Sequence, residues 1–195
     1  MRRRARKIGW RPEVKGSAKK VLAFAASNST TSINRALVGY AAQRLQALHP
    51  PADVKFVDIN DYEMPIYSPD RQNVDGIHPL AQSLFDEIGS ADALIVSFAE
   101  YNGFVTAAWK NIYDWMSRID QKVWQDKPFV LLAASPGRRA GANVLQTQEL
   151  TAPFFGMDIK GKFGVGNWAD AWDGSGLTRE EDREGIEQAV SGLLA

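Results

Sequence analysis

The chain reads Val21-Leu22-Ala23-Phe24-Ala25-Ala26 and then Ser27-Asn28-Ser29-Thr30-Thr31-Ser32-Ile33-Asn34, an apolar run followed at once by a polar one. A pattern of helical period begins directly afterwards, at Arg35-Ala36-Leu37. A short run that is apolar throughout is typical of a buried strand. The polar residues therefore fall where this strand turns into a helix.

The polar turn over 27–34 favours a site for a multiply charged anion. Hydroxyl and amide groups lie there beside the unpaired N–H groups of a helix N-terminus, and the helix dipole points its positive end the same way. No Gly-Lys-Ser/Thr follows the turn and no G-x-G-x-x-G lies in it, so a phosphate would be held by neutral donors. The alternative is an ordinary helix cap, because Ser, Thr and Asn are preferred capping residues.

The rest of the chain alternates between strand and helix patterns. Strand patterns occupy 21–26, 54–59, 93–98, 129–134 and 159–165, and helix patterns occupy 36–48, 79–88, 107–119, 142–155 and 179–194. Apolar strands of this kind are buried on both faces of a parallel sheet, and right-handed crossovers place helices on both sides. We therefore predict an α/β, flavodoxin-like three-layer sandwich with a five-stranded parallel sheet of order 2-1-3-4-5.

Composition excludes several classes of function. Lys+Arg and Asp+Glu both number 23, which argues against a nucleic-acid binder with a broad basic face and against a highly acidic electron carrier. The chain has no cysteine, and its two histidines are not spaced as metal ligands, so we expect no metal site. No apolar run approaches the ~20 residues that span a bilayer. We expect a cytoplasmic protein with no membrane and no nucleic-acid partner.

The first 19 residues differ from the rest of the chain. They begin with the basic run Met1-Arg2-Arg3-Arg4-Ala5-Arg6-Lys7 and show little apolar periodicity. A nucleic-acid arm and a targeting peptide are alternatives, but no continuous apolar stretch follows the basic run as a signal peptide requires. We expect a disordered extension over 1–19 and one flavodoxin-like domain over 20–195.

In a sheet of this kind a ligand lies outside the carboxyl ends of the strands, at the switch point between the first and third strands. The loop after the third predicted strand reads Ser97-Phe98-Ala99-Glu100-Tyr101-Asn102-Gly103 and leads into Trp109-Lys110-Asn111-Ile112-Tyr113-Asp114-Trp115-Met116-Ser117-Arg118. The loop after the fourth reads Ala134-Ser135-Pro136-Gly137-Arg138-Arg139. Three polar or glycine-containing loops are thus expected at one edge of the sheet.

Together these motifs resemble the NADPH-dependent FMN reductase family, which includes flavodoxin-like quinone, chromate and azo-dye reductases. That family pairs a serine-rich phosphate loop ending in S-x-N with a P-E-Y-N-G-type loop, a K-N-x-x-D-W-x-S-R helix and a Ser-Pro-Gly loop. The resemblance covers about residues 20–165, and 100–103 with 110–118 is its most distinctive part. Three departures are Ser29 in place of a frequent arginine, Ala99 in place of proline, and Thr106-Ala107-Ala108 in place of Pro-Gly.

The resemblance implies an FMN-dependent NAD(P)H oxidoreductase. Hydride would pass from the nicotinamide to flavin N5 and then to a quinone or similar small-molecule acceptor, with no catalytic side chain. The FMN phosphate would be held by Ser27, Ser29, Ser32, Ile33 and Asn34. The isoalloxazine would lie against Glu100, Tyr101, Asn102 and Gly103, mostly through backbone groups, with Ser135, Pro136 and Gly137 at its other edge. The resemblance also implies a homodimer or homotetramer.

The sequence also allows other interpretations of the fold and of single residues. The fold alone would also suit a flavodoxin-like electron carrier or a flavin-free binding protein. Arg138 and Arg139 could bind the phosphate of NADPH, although exposed arginines are common. Lys110 and Asp114 lie four residues apart, which an exposed ion pair on a helix explains.

Overall fold

Parallel strands with apolar, buried side chains form the central sheet. The computed structural model describes residues 18–195, so the prediction of a disordered extension over 1–19 falls, for residues 1–17, outside the described residues. The sheet strands are β1 (Lys20–Ala26), β2 (Asp53–Val57), β3 (Ala93–Phe98), β4 (Lys127–Ala134) and β5 (Met157–Val165). Their spatial order is β2-β1-β3-β4-β5, and all four pairings are parallel. The predicted fold is confirmed.

Helices cover both faces of the sheet. They are α1 (Ile33–Leu48), α2 (Pro69–Asp75), α3 (Pro79–Ser90), α4 (Ala107–Met116), α5 (Ala142–Phe155), α6 (Trp168–Ala171) and α7 (Glu180–Ser191). Apolar residues of α1, α6 and α7 pack on one face, and those of α3, α4 and α5 pack on the other. Within residues 18–195, no helix has both the length and the apolar composition required to cross a membrane.

An aromatic cluster fills the core beneath α4. The Trp109 and Trp124 rings are stacked with centroids 5.6 Å apart, and Phe24 lies 5.2 Å from Trp109. All three side chains are almost fully buried. Large rings that interlock in this way fix how α4 sits on the sheet, because packed aromatic pairs have preferred geometries as well as apolar area. The position of the loop before α4 is fixed with it.

Short elements that bury little were missed by the sequence patterns. Helix α2 has no buried residue and is defined by its Ser68 cap and by Pro69 at its first turn. Residues 100–105 form a small hairpin of two-residue strands, Glu100–Tyr101 and Phe104–Val105. Such elements carry no apolar periodicity, and the sequence pattern therefore does not identify them as helix or strand. The second strand also ends earlier than predicted, at Val57, before a short 3₁₀ turn over Ile59–Tyr62.

Two helical glycines allow a matched test of this packing. A Cβ on Gly185 in α7 would lie 2.1 Å from the Phe163 ring, whereas a Cβ on Gly39 in α1 would meet nothing within 4 Å. We expect Gly185→Ala to lower the free energy of unfolding by about 1–3 kcal/mol through overpacking. Gly39→Ala should raise it by about 0.5–1 kcal/mol, because alanine favours a helix. Urea denaturation measures both, and a neutral Gly185→Ala would contradict the close approach of α7 to β5.

Candidate functional site

The loops after β1, β3 and β4 meet in one cleft of about 220 Å³ at the carboxyl edge of the sheet. It is lined by Ser27, Ser29, Thr31, Ser32, Ile33, Asn34, Ala99, Glu100, Tyr101, Ala134, Ser135 and Pro136. A larger groove, of about 830 Å³, lies beside α3 and the amino ends of β1 and β2, which is not where sheets of this type bind ligands. The cleft contains every predicted cofactor-binding residue except Asn102, Gly103 and Gly137.

Serine hydroxyls in the cleft are held by backbone N–H groups. The Ser27 Oγ accepts from the backbone N–H of Ser29 at 3.3 Å, and the Ser32 Oγ caps α1 by accepting from Arg35 at 3.3 Å. A hydroxyl that accepts through its oxygen still has its own proton to donate. These serines therefore cap the turn and offer O–H donors to a ligand at the same time, so the capping interpretation and the anion site are compatible.

The amino end of α1 adds backbone donors to the cleft. Within the part of the chain that the structure describes, no protein group accepts from the backbone N–H of Ile33 or Asn34. Unpaired N–H groups of a first helical turn and the positive end of the helix dipole favour an anion. Thr31, which the prediction omitted, also lines the cleft. Its place in the same polar turn was the signal that could have identified it.

The side chain of Asn34 forms its hydrogen bonds inside the protein. Its Nδ2 donates to the Ala134 carbonyl at 3.2 Å, and its Oδ1 accepts from the Ala134 N–H at 2.8 Å and from the Ser97 hydroxyl at 2.7 Å. The residue is only 3% exposed. The amide thus ties the start of α1 to the ends of β3 and β4, and only the backbone N–H of Asn34 remains for a phosphate.

Glu100 caps a helix with its carboxylate. Its Oε2 accepts from the Val144 N–H at 2.9 Å in the first turn of α5, where the capping residue Gly141 has no side chain to offer. The Asn143 amide donates to the other oxygen at 3.4 Å. The carboxylate therefore lies at the positive end of the α5 dipole.

The Asn102-Gly103 pair forms the turn of the hairpin. Both residues have positive φ angles, 54° and 84°, as a type I′ turn requires. They lie at the hairpin tip and outside the lining of the cleft, so the turn itself accounts for this residue pair. Tyr101, 53% exposed, is the hairpin residue that reaches both the cleft and its rim.

Gly137 lies just beyond the cleft lining and holds the loop after β4. Its N–H donates to the Ser135 Oγ at 3.2 Å, and its carbonyl accepts from Asn167 at 3.1 Å. Arg139 donates to Asn143 at 2.8 Å on the exposed surface. Among the described residues that line the cleft, none is lysine or arginine.

Thr106, which departs from the family pattern, has a structural role. It is 1% exposed, and its hydroxyl donates to the carbonyl of Ala26, the last residue of β1, at 3.2 Å. The same oxygen accepts from the Trp109 N–H and so caps α4. Thr106 therefore fixes the loop after β3 against the loop after β1.

The K-N-x-x-D-W part of α4 binds a neighbouring segment of the chain. Lys110 and Asp114 form the exposed i,i+4 pair that the spacing indicates, at 2.6 Å. The Asn111 amide donates to the carbonyls of Met64 and Pro65 at 2.9 and 3.2 Å, and the Trp115 indole donates to Pro65 at 2.8 Å. This helix therefore holds the segment that follows β2.

Comparison with known proteins gives concordant matches. The family model described as NADPH-dependent FMN reductase matches residues 19–170. An NAD(P)H-dependent FMN reductase of Pseudomonas aeruginosa is 30% identical over 180 residues, covering 89% of this chain and 92% of that protein. An NADPH:quinone oxidoreductase of Arabidopsis thaliana is 27% identical over 132 residues, covering 67% of this chain and 65% of that protein.

Solved structures are similar in fold. The flavoenzyme NAD(P)H:(acceptor) oxidoreductase FerB from Paracoccus denitrificans superposes with a TM-score of 0.68 at 23% identity, covering 90% of this chain and 95% of that one. The azoreductase AzrA gives a TM-score of 0.66 at 18% identity, covering 88% and 97%. These likenesses establish the three-layer architecture.

Asn34 offers a test of how the cleft is assembled. We expect Asn34→Ala to lower the free energy of unfolding by about 2–4 kcal/mol, because it removes three hydrogen bonds and leaves a buried backbone pair at Ala134 unsatisfied. Asn60→Ala is the matched control, since that amide bonds only to Asp58 on the surface. Urea denaturation of both variants measures the difference. An equal, small effect of the two would refute the assigned role of Asn34.

Proposed function

Because the chain belongs to the NADPH-dependent FMN reductase family, we propose that it is an FMN-dependent NAD(P)H oxidoreductase that reduces a quinone or a similar small acceptor. The observation that carries the proposal is the cleft in which the loops after β1, β3 and β4 meet. The proposal takes residues 20–195 as one FMN-binding domain. It places the protein in the cytoplasm, where NAD(P)H is a reductant.

The donor set of the cleft fits an FMN phosphate. Hydroxyls of Ser27, Ser29 and Ser32 and the unpaired N–H groups at the start of α1 would share the charge of the dianion. Arg35 is the cation next in sequence, but it pairs with Asp58. Neutral donors and the helix dipole would therefore supply the stabilisation that an arginine provides in many relatives of this family.

The hairpin and the loop after β4 would hold the flavin ring. Tyr101 offers an aromatic surface on one side of the cleft, and Ser135 and Pro136 form the other side. The Ser135 Oγ accepts from Gly137, which leaves its own proton free for a carbonyl or ring nitrogen. Backbone and hydroxyl groups of this kind orient a flavin and bias its electron affinity.

The protein's part in the reaction is to bind, orient and exclude water. When bound, FMN would supply the two-electron redox chemistry between NAD(P)H and the acceptor. The one acidic side chain that lines the cleft, Glu100, is engaged by α5, so we assign no general acid or base among the residues of the cleft. Small acceptors would reach the ring through the open side of the cleft, next to Tyr101.

The first test uses the purified full chain, titrated with FMN and then supplied with NADPH and benzoquinone. We expect quenching of flavin fluorescence on binding, and acceptor-dependent oxidation of NADPH under anaerobic conditions. Flavin binding without NADPH oxidation would identify an electron carrier instead. Failure to take up FMN at all would identify a flavin-free binding protein and overturn the proposal.

A double variant tests the phosphate cradle. Ser27→Ala with Ser32→Ala should raise the Kd for FMN at least about tenfold, because two charge-assisted donors are lost. The Kd for riboflavin, which has no phosphate, should stay within about twofold of wild type. Ser68→Ala is the control, because Ser68 caps α2 in the same way outside the cleft. Unchanged FMN binding in the double variant would mean that the turn is only a helix cap.

We further propose that the chain assembles as a homodimer or homotetramer. Phe104 of the hairpin and Leu150 and Phe154 of α5 are each about two-thirds exposed, at 66%, 68% and 65%. Leu150 and Phe154 lie four residues apart and share one face of α5. We call these residues the hairpin–α5 surface. Large apolar side chains that stay exposed on neighbouring elements are typical of a subunit contact.

Sedimentation velocity tests this surface. Phe104→Ser with Phe154→Ser should shift the protein towards the monomer, since each change removes apolar area from the proposed contact. Val74→Ser is the control, because Val74 is 84% exposed on α2, outside the hairpin–α5 surface. A monomeric wild type, or a double variant with unchanged mass, would refute the proposed interface.

A further inference from the structure

One peptide group links the C-terminal helix to the loop after β4. The carbonyl of Gly166 accepts from the Arg179 Nη2 at 2.8 Å, and the N–H of the same peptide, that of Asn167, donates to the Gly137 carbonyl at 3.1 Å. A charged donor on the carbonyl polarises the peptide and strengthens donation by its N–H. The Arg179 guanidinium is thereby connected to Gly137 through one planar, rigid peptide group.

The loop over 135–137 also forms backbone hydrogen bonds with the residues on either side of the Gly166–Asn167 peptide. The Ser135 N–H donates to the Val165 carbonyl at 3.0 Å, and the Ser135 carbonyl accepts from Trp168 at 3.2 Å. Gly166 lies so close that a Cβ there would be 3.0 Å from the Gly137 carbonyl oxygen. Any displacement of the peptide between Gly166 and Asn167 must therefore move the loop with it.

A buried carboxylate holds the guanidinium in place. Asp182 is 4% exposed and accepts from the Arg179 Nε at 2.5 Å. Nε and Nη2 are thereby committed to different partners, Asp182 and the Gly166 carbonyl. A planar fork with fixed donors is what allows arginine, and not lysine, to bridge two acceptors. The backbone at Asn167 is also left-handed, with φ of 49°, a conformation that needs support from its surroundings.

We propose that Arg179 and Asp182 are positioning residues for the flavin site, acting through the peptide between Gly166 and Asn167 on the loop over 135–137. Both residues lie beyond 19–170, the part that the family model matches. The inference rests on the proposed function, because it assigns the loop to the flavin ring. It adds that flavin affinity depends on a helix with no residue lining the cleft.

Arg179→Gln and Asp182→Asn test the inference, with Arg183→Gln as the matched control. Arg183 also lies on α7 and pairs with a carboxylate three residues away, but its guanidinium binds the carbonyls of Leu177 and Thr178 at 3.0 and 2.8 Å. In the flavin-free protein, Arg179→Gln should speed amide hydrogen exchange at Asn167 and Trp168 about tenfold. Arg183→Gln should leave exchange at both positions unchanged.

Flavin titration gives the second readout. Arg179→Gln should raise the Kd for both FMN and riboflavin about tenfold, because the loop faces the ring and not the phosphate. Asp182→Asn keeps an acceptor oxygen and should produce a smaller rise in the same direction. Arg183→Gln should bind both flavins as wild type does.

The outcomes separate this inference from the proposed function. A wild type that does not bind FMN overturns the proposed function, and with it the assignment of the loop to the flavin ring. If the wild type binds FMN while Arg179→Gln binds it equally well, only the positioning role of Arg179 is overturned. Equal losses in Arg179→Gln and Arg183→Gln would likewise overturn it, because they would show that general loosening of α7 is the cause.

Discussion

The amide of Asn34 is the contact on which the geometry of the site depends. It lies at the switch point of the sheet, where the chain after β1 enters α1 on one face and the chain after β3 leaves towards the other. At this point the connections that follow neighbouring parallel strands lead to opposite faces of the sheet. The hydrogen bonds between the strands therefore do not hold the loops together. The bonds from Asn34 to Ala134 and Ser97 supply that connection inside the protein, where an unpaired amide would be costly. Thr106 adds a bond between the loop after β3 and the end of β1.

A division of roles among polar groups follows from this assembly. Serine hydroxyls that accept hydrogen bonds from backbone N–H groups shape the loops. Each hydroxyl keeps its own proton, which it can donate to a ligand. Two charged side chains near the cleft have partners within the protein, because Glu100 accepts from the first turn of α5 and Arg35 pairs with Asp58. A cleft with neutral donors and one helix dipole favours a dianion without fixing it by a strong ion pair. Under the proposed function, specificity for a phosphate would depend on the number and geometry of donors, because no single charge dominates.

The sequence predicted the sheet, its order and the grouping of three loops, because buried strands carry an apolar signal that depends only on local residues. It placed α5 with its actual ends, where Gly141 and Gly156 bound the apolar pattern. It could not predict that the Asn34 side chain faces Ala134, a hundred residues away, since polar periodicity does not distinguish a ligand contact from an internal one. Nor could it assign the hairpin, whose two-residue strands are too short for any period.

The segment 110–118, one of the two segments most distinctive of the family, acts on the scaffold. Asn111 and Trp115 of α4 bind the backbone at Met64 and Pro65, and none of these residues lines the cleft. Backbone recognition by side chains requires particular residues at particular spacings, so it leaves a distinct sequence signature, whereas a phosphate can be held by many combinations of hydroxyls. A motif of this kind therefore identifies the family more sharply than it identifies the substrate.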